Sequence, residues 1–204
     1  MSSTFLDTAN IERSGNGIEY HPLRPFLPVT AKVLFLGSFP PQQKRWCMPF
    51  FYPNFINDHW RIEGEVFYGN RDRFVDGANK RFLLDDIVEH CTRQGIAFYD
   101  TSTAVRRLQD NASDKFLEVV EPTDIRILTA QLPSLRAIVT TGEKATDTIC
   151  RYFELKEPPR VNGFALLEDG LELYRLPSSS RAYPLAFQKK ADAYRTMFER
   201  YGMV

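Results

Sequence analysis

Lys32-Val33-Leu34-Phe35-Leu36-Gly37-Ser38-Phe39-Pro40-Pro41 decides the reading of this chain. A nearly continuous apolar run is what a strand buried on both faces requires, and a Gly/Pro turn ends it. In open α/β sheets ligands sit at the carboxyl ends of strands, so the loop that begins at Gly37 is where a site belongs. That loop continues into Phe50-Phe51-Tyr52-Pro53-Asn54-Phe55-Ile56-Asn57-Asp58-His59-Trp60. It brings together aromatic faces, side-chain amides and backbone N–H groups, the means of gripping a flat heterocyclic base and its phosphates. Pro40, Pro41, Pro49 and Pro53 stiffen it by fixing φ and limiting the conformations lost on binding. The same stretch also reads as a rigid structural loop whose aromatics only pack.

Composition bounds the rest. With 204 residues and 43% hydrophobic content, the chain is most simply one globular domain with a sizeable core. No apolar run approaches the roughly 18–20 residues of a membrane-spanning helix. Met1-Ser2-Ser3-Thr4-Phe5-Leu6-Asp7 lacks the basic and apolar regions of a signal peptide, so a cytoplasmic location is expected. Cys47, Cys91 and Cys150 are scattered, without a Cys-x-x-Cys pair, which argues against a disulfide framework, a zinc knuckle or an iron–sulfur cluster. Net charge is zero, which argues against non-specific coating of nucleic acid. Charge is nonetheless uneven: Arg181, Lys189, Lys190, Arg195 and Arg200 outnumber Asp192 and Glu199 in the last stretch, and Lys44-Arg45 and Arg106-Arg107 add basic points. Such a rim suits a DNA-binding cleft or marks a solvated face.

Residues 1–30, with Pro22, Pro25 and Pro28, read as a lead-in segment lying over the surface. Residues 31–204 read as one domain, with no repeat or linker dividing it. Four strand-like runs are expected at Lys32–Leu36, Ile96–Tyr99, Arg136–Thr140 and Leu171–Leu176. Helical spacing joins Phe82, Leu83, Asp86, Ile87 and His90, with Gly95 as terminator. Thr123 or Asp124 can cap a helix leading to Leu132, and Glu143–Phe153 follows Gly142. Phe187, Ala191, Tyr194, Phe198 and Tyr201 form a helical stripe of core-packing residues ending at Gly202. Strands alternating with helices predict a three-layer α/β/α sandwich around a four-stranded, mainly parallel sheet.

A second loop follows the last strand: Leu176-Pro177-Ser178-Ser179-Ser180-Arg181-Ala182-Tyr183-Pro184. Three serines beside a helix start can donate to a phosphate, or can simply form turns and caps. Asn57 or Asp58 can likewise cap the helix that Trp60 enters, and His59 is a lone histidine. Thr141-Gly142-Glu143-Lys144 lacks the spacing of a phosphate-binding P-loop. No Gly-x-Ser-x-Gly nucleophile elbow and no metal-ligand spacing is present.

Together these pieces resemble the uracil-DNA glycosylase superfamily, closest to its hypoxanthine-DNA glycosylase-like and mismatch-specific branches. Gly37-Ser38-Phe39-Pro40 resembles the first motif, and the aromatic pair, Pro53 and Asn57-x-x-Trp60 resemble the segment that follows it. Gly95-Ile96-Ala97-Phe98-Tyr99-Asp100, Arg106-Arg107 and Ser113-Asp114 resemble the middle segment, and Leu176-Pro177-Ser178-Ser179-Ser180 the second motif. The likeness runs from about residue 32 to 200. Three positions depart from it. Phe39 stands where many members place Asp or Asn, Leu176 where classical uracil enzymes have His, and Thr140-Thr141-Gly142 where relatives often have Asn before Gly. Pro53 and Asn57 are also two residues further apart than the pattern usually shows, so Asn54 rivals Asn57.

The resemblance implies a monofunctional DNA glycosylase that removes a deaminated base, uracil or hypoxanthine, from DNA in base-excision repair. Under it, Phe50 or Phe51 stacks on the base and Asn57 (or Asn54) orients the attacking water. Backbone N–H groups at Ser38 and Phe39 face the departing base, within a loop that includes Gly37 and Pro40, and Thr141 lies at the base edge. Ser178 and Ser180 grip phosphate, and Arg181 or Tyr183 wedges into the gap. No metal or organic cofactor and no membrane partner is implied; the expected partner is damaged DNA, bound by a monomer. Two alternatives stay open: a non-catalytic DNA- or nucleotide-binding module with the same fold, and a hydrolase of a small nucleoside-like substrate.

Overall fold

The computed structural model describes residues 17–108, 116–167 and 170–204. In chain order the elements are β1 (Ile18–Tyr20), β2 (Val33–Gly37), a 3-10 turn (Gln43–Arg45), α1 (His59–Tyr68), β3 (Val75–Asp76) and β4 (Arg81–Phe82). There follow α2 (Leu84–Gln94), β5 (Ile96–Asp100), β6 (Ser102–Arg107), β7 (Leu117–Pro122), α3 (Ile125–Thr129) and β8 (Ala137–Thr141). The last are α4 (Glu143–Tyr152), β9 (Gly163–Leu166), β10 (Glu172–Leu176) and α5 (Phe187–Arg200).

The main sheet runs β5-β2-β8-β10-β9. Its first four strands are parallel and correspond to the four apolar runs. Val33, Leu34, Phe35, Leu36, Ile96, Ala97, Ala137, Ile138 and Val139 are fully buried, as strands covered on both faces must be. Alternation sorts the layers. Phe35 points to α1 and α5, touching His59, Tyr194 and Phe198. α2 joins that layer through His90, whose ring lies 4.8 Å from Phe67 of α1. Thr140, in register with Leu36, faces the other way and hydrogen-bonds Thr146 of α4.

Local signals explain the helix ends. Gly95 closes α2 in the left-handed region at φ 74°, its N–H returning to Cys91 O, and a Cβ there would meet Thr30 O at 2.6 Å. Asp124 caps α3 by accepting from the Ile127 N–H. Along α5 and its cap residue Tyr201, the stripe residues Ala191, Tyr194, Phe198 and Tyr201 are buried, while Phe187 at the helix start is half-buried.

The structure departs from the sequence reading in three places. Phe82, read as the start of a helical pattern, lies in β4 of a two-stranded sheet with β3, and α2 begins only at Leu84. A fifth strand, β9, pairs antiparallel with β10 at the sheet edge. It is four residues long, Gly163-Phe164-Ala165-Leu166, and its exposure alternates with Phe164 and Leu166 at the surface, so this short run is fixed as an edge strand by its pairing with β10. A separate antiparallel sheet, β1-β6-β7, draws in the segment read as a surface lead-in. β1 pairs with β6, and Leu23 and Phe26 are buried in the core. Phe26 exchanges two backbone hydrogen bonds with Phe98, covering the open edge of β5. Among the described residues no helix is long and apolar enough to cross a membrane.

Phe98 is the hub of the core: its ring lies 5.4–5.7 Å from those of Phe35, Trp60, His59 and Phe51. Phe98→Ala should therefore cost about 3–5 kcal/mol, read as a lowered midpoint in urea unfolding. A cost below about 1 kcal/mol would mean that this core is not close-packed.

Candidate functional site

The chain leaves β2 for β5 on one side and leaves β8 for β10 on the other. The reversal makes a crevice at the carboxyl ends of β2 and β8, where open α/β sheets bind ligands. Gly37, Ser38, Phe39 and Pro40 lead out of β2 into it. Gly37 pairs with Asp100 across β2–β5, and a Cβ at Gly37 would run into Asp100 Oδ1. The glycine thus leaves room for the Asp100 carboxylate, which would otherwise have to shift from its bond to His21. Among the described residues, neither the Ser38 nor the Phe39 N–H donates a hydrogen bond. The Phe39 side chain turns away to pack with Val105 and Leu117 under the small sheet, so only its backbone can face a ligand. Pro40 is buried, and its carbonyl accepts from Arg107.

The aromatic run divides. Phe50 and Phe51 are 5% and 4% exposed and belong to the core, Phe51 stacked on Phe98 and Phe50 packed on Phe26 and Trp60. Burial occupies the ring faces that base stacking needs. Tyr52 is instead half-buried at the rim, in the left-handed region at φ 49°, a conformation that costs a non-glycine residue energy. Its hydroxyl is 2.8 Å from Thr141 Oγ1, which ties the β2 loop to the end of β8. Its ring lies flat on His59, centroids 3.7 Å apart and planes 7° apart.

Both candidate asparagines use a side-chain oxygen locally. Asn54 Oδ1 accepts from the Ile56 N–H, and Asn57 Oδ1 accepts from the His59 N–H at 2.9 Å, at the start of α1. Asp58, the residue at the cap position, makes no side-chain bond to its helix. It reaches across to the serine loop, donating its N–H to Ser179 O at 3.1 Å and binding Arg181 Nε through Oδ1 at 2.8 Å. Asn57 and Ser178 therefore lie on adjoining loops. Within the serine loop, Ser178 Oγ accepts from Ser180 N and Ser180 Oγ accepts from Ala182 N. Each hydroxyl keeps its O–H to donate. Ser179 is buried, and Tyr183 is half-buried with its N–H on Ser180 O.

Much of the basic rim is committed within the protein. Arg107 pairs with Glu19, Arg106 with Glu118, Arg200 with Glu172 and Arg181 with Asp58, while Lys190 is buried. Ser113 and Asp114 lie outside the described residues. Among those described, no three His, Cys, Asp or Glu side chains are grouped to hold a metal ion. A small, shallow surface depression is lined by Glu19, Tyr20, Phe39, Pro40, Pro41 and Trp46. It touches the outer side of the first motif and includes none of Asn54, Asn57, Thr141 or Ser178.

Sequence reasoning missed four contributors. His21 Nε2 is 2.8 Å from Asp100 Oδ2, so the lead-in segment orients the carboxylate beside Gly37. Tyr52, Asp58 and Lys190 are the others. Only Tyr52 carried a signal, as the third residue of the aromatic run; the rest depend on long-range contacts.

His59 and Glu63 form a buried pair beneath Tyr52. His59 Nε2 is 3.6 Å from Glu63 Oε1, and His90 Nε2 is 3.3 Å from Glu63 Oε2. Burial, then the His90 charge, holds His59 well below the ordinary histidine value of 6.5. Burial pushes Glu63 up, opposed by its bond to His90. His59 is thus a neutral platform for a ring rather than a proton donor.

With this geometry in place, comparison with solved structures finds a likeness. The chain is similar to a solution NMR structure described as a "putative Uracil DNA glycosylase" from Methanosarcina acetivorans, at 22% identity with a TM-score of 0.59. The match covers 90% of this chain and 98% of that one. The fold is uracil-DNA-glycosylase-like. No protein-family model and no curated protein matches the chain. The uracil-DNA-glycosylase-like fold thus rests on architecture: a mainly parallel sheet with flanking helices, its loops converging at one end.

The neutral His59 gives a pH prediction. In the unfolded chain it takes up a proton near pH 6.5, whereas in the fold it does so only well below that. Its contribution to stability is therefore lost as pH falls through about 6.5. Glu63 acts oppositely, because its raised value lets the folded state bind the proton first. His59→Phe keeps a flat ring under Tyr52 and removes only the histidine titration. Between about pH 7 and pH 5 the variant should lose less melting temperature than the wild type. Parallel curves would place the titrating group elsewhere.

Proposed function

We propose that the protein is a monofunctional DNA glycosylase that hydrolyses the N-glycosidic bond of a deaminated base, uracil or hypoxanthine, in base-excision repair. The observation that carries this reading is the junction of the two motif loops, where the Asp58 N–H bonds to Ser179 O at the carboxyl end of a uracil-DNA-glycosylase-like sheet. A bond inside a stacked duplex is unreachable, so the nucleotide must be extruded into the crevice. The serine loop suits the phosphate side of that movement, because Ser178 and Ser180 have O–H donors to spare. Arg181, anchored on Asp58, suits a phosphate contact, which leaves Tyr183 as the wedge.

Inside the crevice, Tyr52 rather than the buried Phe50 or Phe51 takes the stacking role. Its ring is at the rim, its hydroxyl is fixed by Thr141, and His59 supports it from one side. Asn57 orients the water. One lone pair of its Oδ1 is used by the His59 N–H, which holds the rotamer, and the second remains to accept from water. An amide cannot take a proton completely, so its contribution is positioning as the bond loosens toward an oxocarbenium ion. The Ser38 and Phe39 N–H groups supply donors to charge developing on the departing base.

A panel of lesion-bearing oligonucleotides, single- and double-stranded, with alkaline cleavage at abasic sites, tests the activity. Release of uracil or hypoxanthine is expected. Tight binding without release from any lesion would favour the binding-module alternative, and turnover of free nucleosides would favour a small-molecule hydrolase. Asn57→Ala should slow single-turnover release about 10²-fold or more, roughly 3 kcal/mol of barrier, with DNA binding retained. If Asn57 only caps α1, the change should cost about 1 kcal/mol of stability and leave the rate intact. Asn54→Ala, made in parallel, decides between the two amides. Wild-type rates in both variants would end the proposed role of either.

A further inference from the structure

The residue between Asn57 and His59 is the most heavily connected polar group near the crevice. Asp58 is 6% exposed, and among the described residues its polar contacts beyond its own helix go to Ser179, Arg181 and Lys190. Its N–H bonds to Ser179 O at 3.1 Å, its Oδ1 to Arg181 Nε at 2.8 Å, and its Oδ2 lies 3.6 Å from Lys190 Nζ. Lys190 is 1% exposed, unusual for a lysine, and its Nζ donates to Ser180 O at 2.7 Å. Ser180 O also accepts the Tyr183 N–H, so the buried ammonium grips the turn of the loop. On the other side, Arg61 donates to Asn57 O at 3.2 Å and to Phe55 O at 2.8 Å. Arg61 is close enough to Asp58 and Arg181 for both charges to act on it.

We propose that Asp58 is a positioning residue: it holds the Asn57 loop and the Ser178–Ser180 loop at a fixed spacing, with Lys190 as its buried counter-charge. This rests on the glycosylase reading for its functional consequence. The physical argument is one of charge and reach. Asp58 faces Lys190 and Arg181, and Arg71 and Asp72 lie close enough to act on Arg61, so basic groups outnumber acidic ones beneath the serine loop. That excess favours an approaching phosphate. Burying an ammonium is costly without an opposite charge beside it, and Asp58 places its carboxylate 3.6 Å from Lys190 Nζ while bonding the serine loop from the end of the Asn57 loop. A water-orienting amide is useful only when the phosphate grip and the water site keep their distance, and small displacements are costly in rate.

Asp58→Asn separates this role from simple stability. The variant has one more net positive charge, so DNA binding at low salt should be no weaker. Single-turnover base release at saturating protein should still fall about tenfold or more. Backbone hydrogen exchange should speed up together at residues 55–58 and 177–183, because one residue ties both segments. Should Asp58→Asn leave Lys190 uncompensated and fail to fold, the double variant Asp58→Asn/Lys190→Met removes both buried charges. It should fold, release base as slowly, and show the same paired exchange. Wild-type release in a folded variant, or faster exchange in one loop alone, overturns the proposal. If the wild-type protein releases no base from any lesion, the glycosylase reading fails, and the exchange result alone then decides whether Asp58 couples the loops.

Discussion

Val33, Leu34, Phe35 and Leu36 have no solvent-accessible surface, and most of the architecture follows from covering both faces of that one strand. A strand apolar on both sides must be flanked by strands and roofed by helices above and below. β5 and β8 therefore lie beside it, with α1, α2 and α5 over the Phe35 face and α4 over the Leu36 face. Because the chain turns one way after β2 and the other way after β8, the crevice opens where these two strands end. Core and site are two ends of the same strand.

The core also contains polar groups that an apolar interior does not favour. His59 and Glu63 are fully buried, and His59 has no hydrogen bond to either ring nitrogen among the described residues. Such burial costs free energy and is usually avoided. Here the uncharged ring has a use that needs no hydrogen bond: it carries Tyr52 on its face at 3.7 Å. Tyr52 in turn keeps a left-handed backbone and a bond to Thr141. Strain of this kind persists only where the surroundings over-determine it, and the His59 stack and the Thr141 hydroxyl do so.

Charge is used for joining as much as for attraction. His21–Asp100 fastens the lead-in segment beside Gly37, and Arg107–Glu19 fastens it to Pro40. Asp58, Lys190 and Arg181 fasten the serine loop to α1 and α5. These ties cluster at the carboxyl edge of the sheet, where loops would otherwise be held only by their ends.

The local pattern by itself determined the parallel strands, the helices with their caps, and the two loops that carry the candidate site. The reason is that periodicity, Gly and Pro act over a few residues. The Lys32–Leu36 run, the stripe from Ala191 to Tyr201 and the Gly95 terminator all stand in the structure as their spacing predicts. Everything decided by distant partners waited for the tertiary structure. Phe50, Phe51 and Tyr52 are adjacent aromatics, and only packing against Phe98 and Trp60 sends two of them inward and leaves the third at the rim. Lys190 reads as one of a basic run, yet α5 buries it beneath Ser180 and Asp58. β9 and β1 are only four and three residues long, so their place is set by the strands they pair with rather than by their own residues.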